Sequence, residues 1–239
     1  MKAIILNSGV GSRLKEYTAN NPKSMVQITN KDTIFSKAMK LLRKYDIDEF
    51  IITTGYLNEV LEEYIMENFS DLNFTFVHNP EYSSTNYIKS IDYINDFDED
   101  TLLLHGDLVF DEEVLEMIVS SSVSSVVVDS SVNIPEKDFK AKVVENAVEK
   151  ISVKYFGEDA LSCQPLYKLT AHDWKIWKNK IHDYCQEGNT NVYAEEALNE
   201  LLTDRIRLNA MDVKGYYCSE IDTVEDLNNY KELIGDAND

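Results

Sequence analysis

The stretch that decides the fold covers residues 3–13 and reads AIILNSGVGSR. Its first four residues, Ala3–Leu6, predict a buried strand, because short apolar runs bounded by turn residues are typical of such strands. Gly9 and Gly11 follow, and glycines at a strand end let the backbone turn tightly and approach a ligand closely. Arg13 adds a planar, permanently charged group that matches phosphate oxygens. The segment therefore indicates a strand that ends in a phosphate-binding or nucleotide-binding turn.

This turn differs from the two familiar glycine-rich phosphate motifs. Ser12 and Arg13 follow Gly11 where a Walker motif would have Lys and then Ser or Thr, and Leu14 stands where a dinucleotide fingerprint needs a third small residue. A Gly-x-Gly turn is equally compatible with a strand end that holds no ligand. The function of the turn therefore depends on what the rest of the chain contributes.

Strand and helix patterns alternate through the first half of the chain. Such βαβ alternation predicts a mostly parallel sheet with helices on both faces, and ligands collect beyond the carboxyl ends of its strands. The predicted strands are 3–6, 50–53, 74–78, 101–105 and 125–128, and the predicted helices are 34–45, 57–69, 85–94 and one that begins at 111.

From about residue 132 the pattern changes. Alternating apolar residues predict antiparallel strands, and longer amphipathic stretches predict helices. The antiparallel strands are predicted within 140–155 and at 162–169, a further strand near 206–213, and the helices at 173–186, at 193–203 and from 223. No linker or internal repeat interrupts the pattern, so we expect one domain over residues 1–239.

Composition excludes some classes of function. The 239 residues include 23 basic and 43 acidic side chains, a net charge of −20. Such a charge argues against a nucleic-acid partner, because nucleic-acid binding needs a basic surface. The apolar run after Met1 is too short for a signal peptide, and no stretch approaches the roughly 18 apolar residues of a membrane span. We therefore expect a cytoplasmic protein without membrane insertion. The basic residues are unevenly placed, since residues 1–44 hold nine of them against two acidic ones.

Carboxylates occur at two further positions that could hold a ligand. Asp107 follows the apolar strand 101–105, and a carboxylate at the end of a buried parallel strand is a reasonable Mg²⁺ ligand. Glu220 and Asp222 lie two residues apart and point the same way if the segment is extended. Each position also has a structural interpretation, because Asp is a favoured turn residue and Thr223 with Asp226 is typical of a helix start.

Taken together, four segments resemble a known family. They are LNSGVGSRL at 6–14, PKSMV at 22–26, HGD at 105–107 and EIDTVEDL at 220–227. In this order they resemble the nucleotidyltransferases of the sugar-phosphate type, and are similar to the small bacterial cytidylyltransferases that act on phosphocholine or phosphonate head groups. The resemblance runs from Lys2 to Leu227.

The resemblance implies an α/β fold of the Rossmann-like, GT-A type. Its mostly parallel sheet would be sandwiched by helices and extended by antiparallel strands on the acceptor side. Residues 1–131 would form the nucleotide-binding half and residues 132–239 the acceptor-binding half of one domain.

The resemblance also implies the roles of individual residues. Arg13 and Lys23 would be the catalytic cations, and Mg²⁺ would be the cofactor, held by Asp107 and Asp222 with Glu220 as a third carboxylate. The nucleotide would be bound by eight residues: Leu6, Ser8, Gly9, Gly11, Ser12, Arg13, Asn86 and Ser90.

The activity implied is transfer of CMP from CTP to a small phosphorylated or phosphonate head group, with release of pyrophosphate, for decoration of a surface glycan or lipid. Candidate acceptors are phosphocholine, phosphoethanolamine, aminoethylphosphonate and a phosphorylated amino-acid derivative. The chain has Asn7-Ser8 where the family usually has two alanines, and residues 160–167 read ALSCQPLY where the choline branch would have a strand resembling Gly-Ile-Ser-Tyr-Trp. A homodimer is conceivable through a helix that carries Trp174 and Trp177.

Three other functions stay open at this point. A sugar-1-phosphate nucleotidyltransferase would use the same motifs. A glycosyltransferase would usually show Asp-x-Asp where this chain has His105-Gly106-Asp107. A nucleotide-sensing protein without turnover would need neither both metal carboxylates nor both phosphate-binding cations.

Overall fold

The computed structural model describes residues 1–134 and 136–236. The strands of this part of the chain are β1 (Lys2–Asn7), β2 (Glu49–Thr54), β3 (Phe74–His78), β4 (Thr101–His105), β5 (Leu108–Phe110), β6 (Ser125–Asp129), β7 (Lys140–Val144), β8 (Ala147–Ser152), β9 (Ala160–Leu169), β10 (Asn209–Asp212) and β11 (Cys218–Glu220). The α-helices are α1 (Ile34–Leu42), α2 (Asn58–Asn68), α3 (Tyr87–Asp92), α4 (Glu112–Val119), α5 (Ala171–Gln186), α6 (Ala194–Asn199) and α7 (Val224–Asp236). Two 3₁₀ segments, Ser12–Thr18 and Lys23–Met25, follow β1.

The main sheet has nine strands in the order β3-β2-β1-β4-β9-β6-β10-β8-β7. Its first four strands are parallel, whereas β9 is antiparallel to both β4 and β6. Strand β9 also pairs with β7, so β9, β6, β10, β8 and β7 close into a ring. The predicted fold class, a mostly parallel sheet between helices with an antiparallel extension, is confirmed.

The two faces of the sheet pack against different helices. Because neighbouring residues of a strand point to opposite faces, Ile4 packs with α3, α5 and α6, whereas Ile5 packs with α1, α2 and α4. Trp174 and Trp177 of α5 are buried in the first of these cores. The two rings are therefore covered by the chain's own core and are not available for a dimer contact, while a dimer through other residues of this helix stays a prediction.

A separate two-stranded ribbon of β5 and β11 stands beside the main sheet. The sequence indicated only a strand edge near 220 and missed β5, because three apolar residues between a turn and a helix are too short a signal. One core cluster joins this ribbon to the turn after β1 and to α7. Its buried members are Leu14, Val26, Ile28, Ile34, Val109, Ile221, Leu227 and Tyr230.

The predicted helix 193–203 is shorter than expected. Helix α6 ends at Asn199, and Thr203 has a φ of 72°, in the left-handed region that a helix does not adopt. Asn209 then begins β10 beside β6. Within the described residues, no helix has both the length and the apolar character needed to cross a membrane.

Candidate active site

The carboxyl ends of β1 and β4 open into a cavity of about 460 Å³. This is the edge of the sheet at which a parallel α/β fold collects its ligands. All twelve residues singled out in the sequence line the cavity: Leu6, Ser8, Gly9, Gly11, Ser12, Arg13, Lys23, Asn86, Ser90, Asp107, Glu220 and Asp222. The structure thus brings together segments that lie up to about 200 residues apart in the chain.

The glycine-rich turn is shaped by Gly11. Its φ is 66°, and a Cβ atom at this position would lie 2.9 Å from the Cβ atom of Lys23. Gly9 has no such constraint, because a Cβ atom there would meet nothing within 4 Å. Gly11 therefore allows both the left-handed turn and the close approach of the Lys23 stem. Ser12 and Arg13 follow it and are exposed to the cavity.

Four charged side chains meet in the cavity. The Lys23 ammonium donates to the carboxylates of both Asp107 and Asp222. A guanidinium nitrogen of Arg13 lies 2.7 Å from the other oxygen of Asp222. Arg13 is 61% exposed, whereas the side chains of the other three are 15–16% exposed. Two cations and two carboxylates thus form one compact ionic cluster.

Burial and charge oppose each other within this cluster. Burial disfavours the charged form of Lys23, but the carboxylates of Asp107 and Asp222 outweigh it and raise the pKa of the ammonium. Burial likewise disfavours ionised Asp107, yet the charges of Lys23 and His105 keep the pKa of its carboxyl below the ordinary value. Both partners are therefore charged at neutral pH.

His105 and Glu220 form a second pair beside the first. The Nδ1 atom of His105 lies 2.8 Å from Glu220 Oε1, so the pair links the end of β4 to the end of β11. Burial disfavours protonated His105, but the hydrogen bond and charge of Glu220 raise the pKa of the imidazole to about 9. Burial and the charge of Asp107 raise the pKa of Glu220 as well. Glu220, predicted as a third metal carboxylate, thus has His105 as its partner.

The ribbon explains why the two aspartates meet. Asp107 immediately precedes β5, and Asp222 is the second residue after the end of β11. The two strands are antiparallel, and the amide of Ile221 donates to the carbonyl oxygen of Asp107 at 2.9 Å. Antiparallel pairing therefore places residues from distant parts of the sequence side by side.

The carboxylates fit a divalent cation. Asp107 Oδ1 is buried without a hydrogen-bond partner, and a hard cation prefers such oxygens. Asp138, Glu220 and Asp222 each offer one oxygen within 4.8 Å of the others, and His105, Asp107 and Glu220 form a second set of this kind. Buried unpaired polar atoms are costly and often mark a site of function. The residues that would hold a divalent ion are therefore present.

Asn86 and Ser90 lie in the cavity wall but already have partners. Asn86 caps α3, since its side chain accepts from the amide of Tyr87 at 2.7 Å. Ser90 is fully buried, and its hydroxyl accepts from Asn79 Nδ2 at 2.9 Å. Both side chains thus shape the wall through the 79–90 segment, of which Asn79 carried no sequence signal of its own.

An aromatic wall completes the cavity. Tyr87 and Tyr193 have ring centroids 6.0 Å apart, and Phe139 packs edge-on against Tyr193 at 5.0 Å. All three line the cavity together with Asp138. The sequence offered no signal for Phe139, because the wall is assembled from three separate segments.

A buried carboxylate supports the aromatic wall from behind. Glu195 is 1% exposed, and it accepts hydrogen bonds from the hydroxyls of Tyr87 and Tyr167, the latter at 2.9 Å. A buried carboxylate requires such donors, because an unsatisfied one would be strongly destabilising. Glu195 therefore holds the ring of Tyr87 in place at the cavity.

A comparison with known families places this cavity in context. The model of the nucleotidyl transferase family matches residues 2–138, more than half of the chain. This chain belongs to the nucleotidyl transferase family. The matched region contains the glycine-rich turn, Lys23 and Asp107, which are the residues of the first half that form the ionic cluster.

Individual relatives match along nearly the whole chain. The CTP:phosphoglutamine cytidylyltransferase of Campylobacter jejuni is 27% identical over 95% of this chain and 98% of that protein. The choline-phosphate cytidylyltransferase of Streptococcus pneumoniae is 24% identical over the full length of both. The solved structure of the CTP:phosphocholine cytidylyltransferase from Streptococcus pneumoniae superposes with a TM-score of 0.77 at 19% identity, covering 98% of each chain. The structural likeness shows a shared nucleotidyltransferase fold.

Proposed function

We propose that this protein is a Mg²⁺-dependent cytidylyltransferase that transfers CMP from CTP to a small phosphorylated or phosphonate head group and releases pyrophosphate. The observation that carries the proposal is the ionic cluster of Arg13, Lys23, Asp107 and Asp222 at the mouth of the nucleotide-binding turn. The full-length relatives named for CTP and a phosphorylated small molecule support this choice of nucleotide and acceptor.

The cluster suits transfer of a nucleotidyl group. An acceptor oxygen attacks the α-phosphorus, and the bond from that phosphorus to the bridging oxygen of pyrophosphate breaks. No protein nucleophile is needed, so the protein contributes position and charge. Arg13 would bind phosphate oxygens through its guanidinium, and Lys23 would stabilise the charge that develops on the leaving group.

Asp107 and Asp222 would hold the metal ion. A bound Mg²⁺ would supply Lewis-acid stabilisation of phosphoryl oxygens. The His105–Glu220 pair would keep the end of β4 and the end of β11 together, so that the two aspartates stay at a fixed separation. Glu220 belongs to both sets of candidate metal ligands, so in our proposal it is also the third metal carboxylate.

The aromatic wall indicates an acceptor that carries an amine. Tyr87, Phe139 and Tyr193 present ring faces and edges to the cavity, and Asp138 adds a carboxylate. Aromatic rings attract cations, with about 0.5–2 kcal/mol for each favourable contact. The acceptor half, residues 132–239 of one domain, would thus select a head group with a phosphoryl and a cationic end.

A substrate panel tests the proposal. The purified protein would be incubated with Mg²⁺, each of the four NTPs and one acceptor at a time, and pyrophosphate release would be measured. The panel contains phosphocholine, phosphoethanolamine, aminoethylphosphonate, phosphorylated amino-acid derivatives and sugar 1-phosphates. We expect turnover with CTP and an amine-bearing acceptor, and loss of turnover when EDTA removes the metal.

Two outcomes would contradict the proposal. Turnover restricted to sugar 1-phosphates would identify a nucleotidyltransferase that makes nucleotide sugars. No pyrophosphate release with any pair, while CTP still binds in a calorimeter, would identify a nucleotide sensor. The cytoplasmic location, the homodimer and the role in a surface glycan or lipid pathway stay predictions.

A further inference from the structure

The Lys23 ammonium lies between the carboxylates of Asp107 and Asp222 and donates to both. Arg13 contacts the second oxygen of Asp222 at 2.7 Å. Three of the four carboxylate oxygens are therefore on cations of the chain itself, and the fourth, Asp107 Oδ1, is buried without a partner. Any divalent cation held by both aspartates must therefore use an oxygen of Asp222 that Lys23 or Arg13 now contacts, and full access to both carboxylates requires the Lys23 ammonium to leave.

We propose that the Lys23 ammonium occupies the place of the divalent cation and blocks the metal site. A bound nucleoside triphosphate would unblock the site, because its phosphates attract the ammonium away from the aspartates. This inference rests on the proposed function, because it assumes that Asp107 and Asp222 are the metal ligands. It adds that the metal enters with the nucleotide and binds poorly to the free enzyme.

Charge balance supports this order of events. Arg13 and Lys23 neutralise Asp107 and Asp222, so the cluster has no net charge of its own. A divalent cation alone would meet carboxylates whose charge is already balanced, and it would have to displace the ammonium or the guanidinium from them. A triphosphate carries more negative charge than one divalent cation neutralises. Its phosphates would bind Arg13 and Lys23 as the carboxylates turn to the metal.

The backbone around Lys23 fixes the first carbons of its side chain and leaves the ammonium end able to move. Pro22 precedes the residue, and Lys23 begins the short 3₁₀ segment that ends at Met25. A Cβ atom at Gly11 would lie 2.9–3.2 Å from three carbons of the Lys23 stem. The turn thus confines the stem, while the ammonium can change partner by rotation of its terminal bonds.

The experiment measures Mn²⁺ binding to the nucleotide-free protein by electron paramagnetic resonance and calorimetry. We expect weak binding by the unmodified protein. Lys23→Met should tighten it on the order of tenfold, because one opposing charge is removed from the part-buried site. Lys23→Arg, which keeps the charge, should bind as weakly as the unmodified protein. The double variant Lys23→Met/Asp107→Asn should lose the gain, which assigns the bound ion to this site.

Lys2 provides a matched control. Its ammonium also contacts two carboxylates, Glu49 at 2.8 Å and Glu99 at 3.7 Å, and its side chain is 18% exposed. Lys2→Met changes the net charge by the same amount at the opposite end of β1, so it should leave Mn²⁺ affinity unchanged. Circular dichroism checks that each variant folds. If Lys23→Met does not fold, Arg13→Gln carries the test, with a smaller expected gain in affinity.

The result that overturns this proposal is equal Mn²⁺ affinity in the unmodified protein and in Lys23→Met, with both folded. Equal gains in Lys23→Met and Lys2→Met would also overturn it, because the effect would then be general electrostatics. Failure of the proposed function has a different signature, the absence of pyrophosphate release with every nucleotide and acceptor. The binding measurement involves no turnover, so the two failures are distinguishable.

Discussion

The ionic cluster and the aromatic wall face the same cavity but are built in different ways. The cluster pairs Asp107 and Asp222, which lie beside strand ends, with Arg13 and Lys23, which lie in the two 3₁₀ segments after β1. The wall consists of three rings that touch at centroid distances of 5.0–6.0 Å and share no hydrogen bond. Charged partners depend on position to within a few tenths of an ångström, whereas ring packing tolerates small shifts.

The difference suggests a division of labour within the cavity. A charge that stabilises a transition state acts on the rate, so we expect changes in the cluster to lower kcat/KM strongly. A ring that contacts the acceptor in both ground and transition states acts on binding, so we expect changes in the wall to raise KM. Four predictions, each with a matched control variant, test this comparison.

The largest effect is expected for Asp107→Asn. The change removes one carboxylate charge of the proposed metal site and one partner of Lys23, so kcat/KM should fall roughly a hundredfold or more. Initial rates of pyrophosphate release over a range of Mg²⁺ concentrations measure this loss. Asp71→Asn is the control, because Asp71 is an exposed aspartate that is also paired with a cation, Arg43, at 2.5 Å. Near-normal turnover of Asp107→Asn would show that the Asp107 carboxylate is not needed for catalysis.

A smaller loss is expected for Gly11→Ala. A methyl group there would meet the Lys23 stem at 2.9 Å, so the turn and the ammonium must shift. The turnover number should fall about tenfold, and the positive φ should cost about 1 kcal/mol of stability.

Gly188→Ala separates strain from contact. Gly188 has a φ of 86°, yet a Cβ atom there would meet nothing within 4 Å. Thermal unfolding should show similar destabilisation of Gly11→Ala and Gly188→Ala, whereas only the former should lose activity. Equal activity in the two variants would mean that the Gly11–Lys23 contact has no role in turnover.

Tyr193→Ala should act on the acceptor rather than on CTP. Removing a ring that contacts a cationic group costs about 1 kcal/mol, so the acceptor KM should rise roughly fivefold with the CTP KM unchanged. Tyr216→Ala is a matched control, since Tyr216 is 41% exposed against 38% for Tyr193 and does not line the cavity. A higher CTP KM in Tyr193→Ala would place this ring beside the nucleotide.

The smallest effects on activity are expected for two variants that each replace a tyrosine with phenylalanine. Tyr87→Phe and Tyr167→Phe each remove one hydrogen bond from the buried carboxylate of Glu195, so each should lower the free energy of unfolding by about 2 kcal/mol. Urea unfolding measures this loss. Only Tyr87 lines the cavity, so only its variant should raise the acceptor KM, by about twofold, when the Tyr87 ring is less firmly held. Equal KM values in both variants would make the Glu195 contacts purely structural.

Much of the fold followed from local patterns. The strand 74–78 and the strand 101–105 coincide with β3 and β4, because apolar runs flanked by turn residues were long enough to identify. Strand β5 and the early end of α6 were missed. The three residues of β5 are too few to show a periodic pattern. The turn at Thr203 needs a positive φ, and the residue types there do not predict one.

For the site as for the fold, the sequence predicted the residues but not the contacts between them. Arg13 lies in the glycine-rich turn after a strand, Lys23 lies ten residues further on, and Asp107 and Asp222 lie beside strand ends. These positions, together with the resemblance to the family, suggested all four. Their mutual pairing did not follow from sequence, because the Lys23–Asp222 contact spans 199 residues. The partner of Glu220 was unexpected for the same reason, since His105 meets it only across the ends of β4 and β11.

The sequence by itself determined the parallel half of the sheet, the glycine-rich turn after β1 and the identity of the charged residues, because these depend on neighbours within a few positions. Only the tertiary structure decided that Lys23 sits between two aspartates, that Glu220 pairs with His105, and that Tyr87, Phe139 and Tyr193 form one wall. These contacts join residues from distant elements, and their geometry depends on how the ribbon and the two cores pack against the sheet.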